Sequence, residues 1–129
     1  MTPLWTPSPE RAAHTELARF LKYAGKPGFD ELHRWSIEKG EEFWETVWKF
    51  GQVRGDPGLR RLINADKMPG AKWFPEARLD FAQNLLRERD ATSAIVFWGE
   101  DRIKRYLSKR QLYDLVSRIA QALADAGVK

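Results

Sequence analysis

The stretch Trp73–Leu86, WFPEARLDFAQNLL, constrains this chain more than any other. It gathers Trp73, Phe74, Leu79, Phe81 and the Leu85-Leu86 pair around one proline and one helix start. Asp80 is placed to cap that helix, with Gln83 reaching back as the other half of a capping box. Phe81, Leu85 and Leu86 then share one face. The chain before this stretch reads as helical and Trp-rich. The chain after it reads as a hairpin followed by a long helix.

Ser8, Pro9 and Glu10 form a helix start, and Ala13, Leu17, Phe20, Leu21 and Ala24 follow at helical spacing. One helix is expected from about Pro9 to Ala24, ended by Gly25, Pro27 and Gly28. A second helical segment starts near Asp30 and carries Leu32 and Trp35, with Ser36 as a fresh cap and Gly40 as an interruption. EEFWETVWKF then forms an amphipathic helix. Phe43, Trp44, Val47 and Trp48 make its apolar stripe, with Glu41, Glu42, Glu45 and Lys49 outside it. Gly51–Met68 is the loosest region, with a GDPG turn at Gly55–Gly58 and a short helix expected over Leu59–Asn64.

After the polar RERDAT, SAIVFWGED reads as a buried strand with a turn at Gly99–Asp101. RIKRYLS returns as its partner, with Ile103, Arg105 and Leu107 alternating. Ser108 and Gln111 form a second capping box. The helix that follows places Leu112, Leu115, Val116, Ile119, Leu123 and Ala126 on one face, and Gly127 stops it. Two strands alone are marginal in water. A helix followed by Gly-Val is a usual lead-in to another strand. The fold class is therefore α/β and mostly helical: an N-terminal helical region, then one βα unit. Residues 1–90 and 91–129 are the two expected regions.

Several chemistries are excluded. The 129 residues contain no cysteine, so disulfides, thiol nucleophiles and thiolate metal sites are out. That absence suits a reducing cytoplasm, the expected location. No apolar run approaches a membrane span, so no membrane partner is expected. No Walker spacing, GxGxxG or GxSxG occurs. His14 and His33 stand alone without metal-ligand spacing. Glu41, Glu42 and Glu45 fall on a polar helix side, where solvation explains them. The net charge of +4 is mild, and its basic residues alternate with acids. The Trp stripe could stack bases, but its helical periodicity and neighbouring acids favour packing over phosphate binding. No nucleic-acid partner is expected. Catalytic, cofactor-binding and metal residues are each read as none.

Three segments together resemble one family. LWTPSPE at Leu4–Glu10 followed by Phe20, LHRWSIEKGEEFWETVWKF at Leu32–Phe50, and WFPEARLDFAQNLL resemble the N-terminal region of acetoacetyl-CoA synthetases. The last part, from Ala94 to Val128, resembles the first hairpin and helix of the large domain of AMP-forming acyl-CoA synthetases. Asp80 stands where that family usually has Asn; either residue caps a helix. The resemblance implies a helical cap (1–90) and the truncated start of a larger α/β adenylation domain (91–129). It also implies that the intact enzyme uses ATP and Mg to form an acyl-adenylate and CoA to give the thioester. The family's phosphate loop, metal contacts and catalytic lysine lie downstream of the matched region, so no catalytic residue carries over and this chain alone is expected to bind none of ATP, Mg or CoA. Its expected partner is the remainder of the adenylation domain, with truncation, frameshift or a split gene as the expected origin of the short chain. Two other readings stand beside this one: a stand-alone interaction module docking through its aromatic face, and a small nucleic-acid binder.

Overall fold

A computed structural model describes residues 4–100, 102 and 104–128. The chain is mixed α/β and helix-rich. Its elements run α1 (Pro9–Ala13), α2 (Glu16–Tyr23), α3 (Phe29–Glu38), α4 (Gly40–Phe50), β1 (Leu62–Ile63), β2 (Lys72–Trp73), α5 (Phe81–Leu85), β3 (Ser93–Trp98), β4 (Lys104–Ser108) and α6 (Lys109–Asp125). The chain divides into two compact units, Met1–Leu79 and Asp80–Lys129. Trp73–Leu86 is therefore shared between units rather than forming one organising element.

In the first unit, the expected helix over Pro9–Ala24 is two helices. Thr15 breaks it: its backbone is extended and its hydroxyl accepts the Ala18 N–H, so it starts α2 afresh. Ser36 is not a cap. It lies inside α3, and its hydroxyl donates to the His33 carbonyl at 2.7 Å, a local bond that helical serine often makes. The break before α4 falls at Lys39, and Gly40 is the first residue of α4. α4 ends with Gln52 in the left-handed region (φ 51°). The Gln52 and Val53 N–H groups donate to the Lys49 and Trp48 carbonyls, a Schellman ending that usually takes glycine at this position.

The centre of this unit is aromatic. Phe20 and Leu32 are its buried apolar side chains, 9% and 6% exposed. Phe20 meets Phe43 and Phe50 edge-on, at centroid distances of 5.9 and 5.0 Å. Phe43 in turn meets Trp35 at 5.5 Å and Trp44 at 5.2 Å. Trp44 meets Trp73 at 5.9 Å, and Trp48 meets Phe74 at 5.1 Å. The α4 stripe read from the sequence thus packs on α2, α3 and β2 rather than presenting a row of free rings.

Leu59–Asn64 is not a helix. Leu62 and Ile63 pair antiparallel with Trp73 and Lys72, and an isolated bridge joins Asp56 to Arg78. Glu76 organises this fold-back. Its carboxylate accepts the Leu59 and Arg60 N–H groups at 2.9 and 3.3 Å and pairs with the Arg60 guanidinium at 2.6 Å. Gly58 (φ 73°) permits the approach, because a Cβ there would stand 2.6 Å from the Glu76 Cβ. Backbone pairing and one carboxylate thus hold in place a region whose sequence reads as loose.

In the second unit, Asp80 caps α5 by accepting the Gln83 N–H at 2.8 Å. β3 and β4 form the expected hairpin, with Ile95 opposite Leu107, Val96 opposite Tyr106, Phe97 opposite Arg105 and Trp98 opposite Lys104. Asp101 and Ile103, expected in the turn and the return strand, lie outside the described residues. The Ser108–Gln111 capping box starts α6. Gly127 (φ 81°) ends it with the Gly127 and Val128 N–H groups on the Ala124 and Leu123 carbonyls. β3 is not buried: every one of its residues is exposed.

Candidate docking face

The chemistry-bearing residues of the sequence are not brought together. His14 Nδ1 donates to the Glu10 carbonyl at 2.7 Å, a bond within its own stretch of chain. His33 stacks on Phe29 at 5.9 Å. Glu42 accepts a long bond from the Trp35 indole N–H at 3.4 Å. Glu45 departs from the expectation of a solvated residue. It is half-buried and pairs with Lys49 at 2.9 Å and Arg61 at 3.5 Å. Its bonds to Lys49 and then Arg61 hold its carboxyl below the usual value. Arg61 also donates to the Gly58 carbonyl at 2.6 Å and lies over Phe74 at 5.9 Å. Glu45 is therefore a strut between α4 and the fold-back, a role its sequence neighbours do not reveal. Among the described residues, no three His, Asp or Glu side chains gather where a metal ion could be held.

The second unit has a polar corner and a large apolar surface. In the corner, Asp90 accepts the Thr92 hydroxyl and, at 2.9 Å, the Thr92 N–H. Those bonds, with Lys109 nearby, hold the Asp90 carboxyl low. Lys109 pairs with Glu88, which holds its ammonium pKa above the usual value. The Lys109 and Arg110 N–H groups donate to the Thr92 and Asp90 carbonyls at 2.9 and 3.1 Å. These bonds fasten the chain entering β3 to the first turn of α6, at orphan donors a helix must satisfy somehow.

The apolar surface has two parts. α6 lies along the side of the hairpin bearing Ile95, Phe97 and Leu107, where Leu115 lines a groove of about 480 Å³ with them. A second groove of about 300 Å³ runs between Leu85, Leu86, Ala94, Ile95 and Leu112. Yet Ile95, Phe97, Leu115, Val116, Ile119 and Leu123 all remain exposed. The opposite side of the hairpin carries Val96, Trp98 and Tyr106, exposed as well. A two-stranded sheet that is apolar on both faces matches strands covered on both sides. The total accessible surface is 11135 Å². The exposed apolar side chains of the hairpin and α6 are the kind of surface that marks interaction sites. Among the described residues, no helix is long and apolar enough to cross a membrane.

Residues 29–85 match the family model described as the acetyl-coenzyme A synthetase N-terminus. The chain is 38% identical to an acetoacetyl-coenzyme A synthetase of Rhizobium meliloti (strain 1021), over 98% of this chain and 20% of that protein. It is 26% identical to an acetoacetyl-CoA synthetase of Macaca fascicularis, with the same coverage. Among solved structures, an acetoacetyl-CoA synthetase from Streptomyces lividans superposes with a TM-score of 0.84 at 31% identity. That match covers all of this chain and 22% of that one. The chain thus spans about a fifth of the length of the curated relatives it matches.

Proposed function

We propose, from its likeness to the N-terminal region of acetoacetyl-CoA synthetases, that the chain is the scaffold portion of an ATP-dependent acetoacetate–CoA ligase. In this reading the Met1–Leu79 unit is a helical cap, and the hairpin with α6 is the first βα unit of a larger adenylation body. ATP, Mg and CoA are handled by the remaining polypeptide. This chain contributes shape and apolar surface, and no group that touches substrate. The observation that supports this most strongly is the end-to-end match to one family in both sequence and fold. The uncovered hairpin and α6 face agree with it, because they ask for an additional layer.

A chimera tests the proposal. Residues 1–129 replace the matching fifth of the Rhizobium meliloti protein, and acetoacetate-dependent AMP release is measured. The expected result is activity from the chimera and none from the 129-residue chain. An inactive chimera that folds, or ligase activity from the chain alone, would refute the reading.

A further inference from the structure

The 55–78 fold-back is closed on itself and held to α4 along one side. At its base the Asp56 and Arg78 N–H groups each donate to the other's carbonyl, at 2.9 and 2.8 Å. Further along, the Phe74 N–H donates to the Arg61 carbonyl at 2.8 Å, and Glu76 ties the same two arms together through Leu59 and Arg60. Its hold on α4 is made by side chains: the Trp73 ring against Trp44, the Phe74 ring against Trp48, and Arg61 paired with Glu45. Trp73 also rests on the first residue of α4, where a Cβ on Gly40 would stand 3.2 Å from the ring. Between them runs a cleft of about 510 Å³, with Ile37, Gly40 and Trp44 on one wall and Leu62, Ala65 and Trp73 on the other.

Two features work against the closed position. The Arg61 side chain is 17% exposed, and its short bond, from Nη1 to the Gly58 carbonyl at 2.6 Å, stays within the fold-back. Toward α4, its Nε is buried with no hydrogen-bond partner among the described residues, and the Glu45 carboxylate stands 3.5 Å away. That contact is an ion pair without a hydrogen bond, and a buried donor left unmade is costly. Phe74 holds φ at 44°, a left-handed backbone that a bulky residue rarely adopts, while its ring is seated on Trp48. We propose that the fold-back is a strap, hinged at its Asp56–Arg78 base and latched by the Glu45–Arg61 pair, that lifts off α4 as one piece and opens this cleft. Lifting keeps the bonds inside the strap. It lets water reach the Arg61 guanidinium and lets the Phe74 backbone relax.

Spin labels on Ile37→Cys and Ala65→Cys test this in the full chain, which has no cysteine of its own. Both positions are exposed and face the cleft from opposite walls. Double electron–electron resonance then reads the distance across it. Glu45→Gln should raise the share of a longer distance on the order of fivefold, the factor that corresponds to an ion pair of about 1 kcal/mol. Lys49→Gln removes the partner that Glu45 has on α4 itself and should leave the distances unchanged. Circular dichroism should show intact helices in both variants. A single short distance in Glu45→Gln, an equal rise in Lys49→Gln, or a longer distance that comes with lost helix would each overturn the strap.

Discussion

Truncating Phe20 to alanine should destabilise the first unit by about 4 kcal/mol. Phe20 is 9% exposed, and its ring meets Phe43 and Phe50 edge-on. Burial of an aromatic side chain removes roughly 150–250 Å² from water. At about 25 cal/mol per Å², that is worth roughly 4–6 kcal/mol as an upper bound, less what alanine retains. Measured Phe→Ala losses of about 3–5 kcal/mol agree with this figure. A domain is stable by only about 0.05–0.15 kcal/mol per residue, so the loss would be a large part of this unit's total. The assay is urea unfolding followed by tryptophan fluorescence, which five of the six tryptophans report from the first unit. Leu123→Ala, on the exposed α6 face, is the control and should cost less than about 1 kcal/mol in the free chain. A Phe20→Ala loss below about 1 kcal/mol, or a larger loss from Leu123→Ala, would refute the placement of the core.

Three further outcomes are expected. Gly58→Ala should shift the urea midpoint down by more than a typical surface change, because its Cβ would collide with Glu76 and its φ is positive. Gln52→Gly should stabilise the first unit by up to about 1 kcal/mol, since it relieves a left-handed non-glycine residue; equal or lower stability would contradict that strain. Glu76 is held below its ordinary pKa of 4.5, mainly by the Leu59 N–H and then by the Arg60 side chain. A lowered carboxyl stabilises above its unfolded pKa, and that share is lost as pH falls through the folded value. Acid titration should therefore loosen the 55–78 fold-back below about pH 4.5 in the native chain, while Glu76→Gln should lose that pH dependence. Identical acid profiles for the two proteins would contradict the role of Glu76.

Local signals were legible where the physics is local. The Ser108–Gln111 box, the Asp80 cap and the Gly127 stop are each settled within a few residues of chain, and the structure has all three. The α4 stripe was legible because periodicity alone places Phe43, Trp44, Val47 and Trp48 on one side. Competition between local signals was harder to read. Thr15 looks unremarkable in a helical run, yet its hydroxyl starts a new helix. Ser36 looks like a cap, yet a bond to its own helix absorbs it. Long-range polar choices were invisible. Nothing near Glu76 in sequence announces Leu59 and Arg60, and nothing near Glu45 announces Arg61. β3 misled through its composition: SAIVFW reads as buried, but every one of its residues is exposed in this chain. The exposed hairpin face was legible only as a surplus of apolar residues. Its chemistry depends on the hairpin register that brings Trp98 to Tyr106.

The scaffold function proposed above requires the exposed apolar surface of the Asp80–Lys129 unit to be covered in the longer protein. Amide hydrogen exchange of α6 and β3, compared between the free chain and the Rhizobium chimera, tests it most directly. Rapid exchange in the free chain and strong protection in the chimera are expected. Equal protection in both would show that the unit is complete by itself, and the claim would fail.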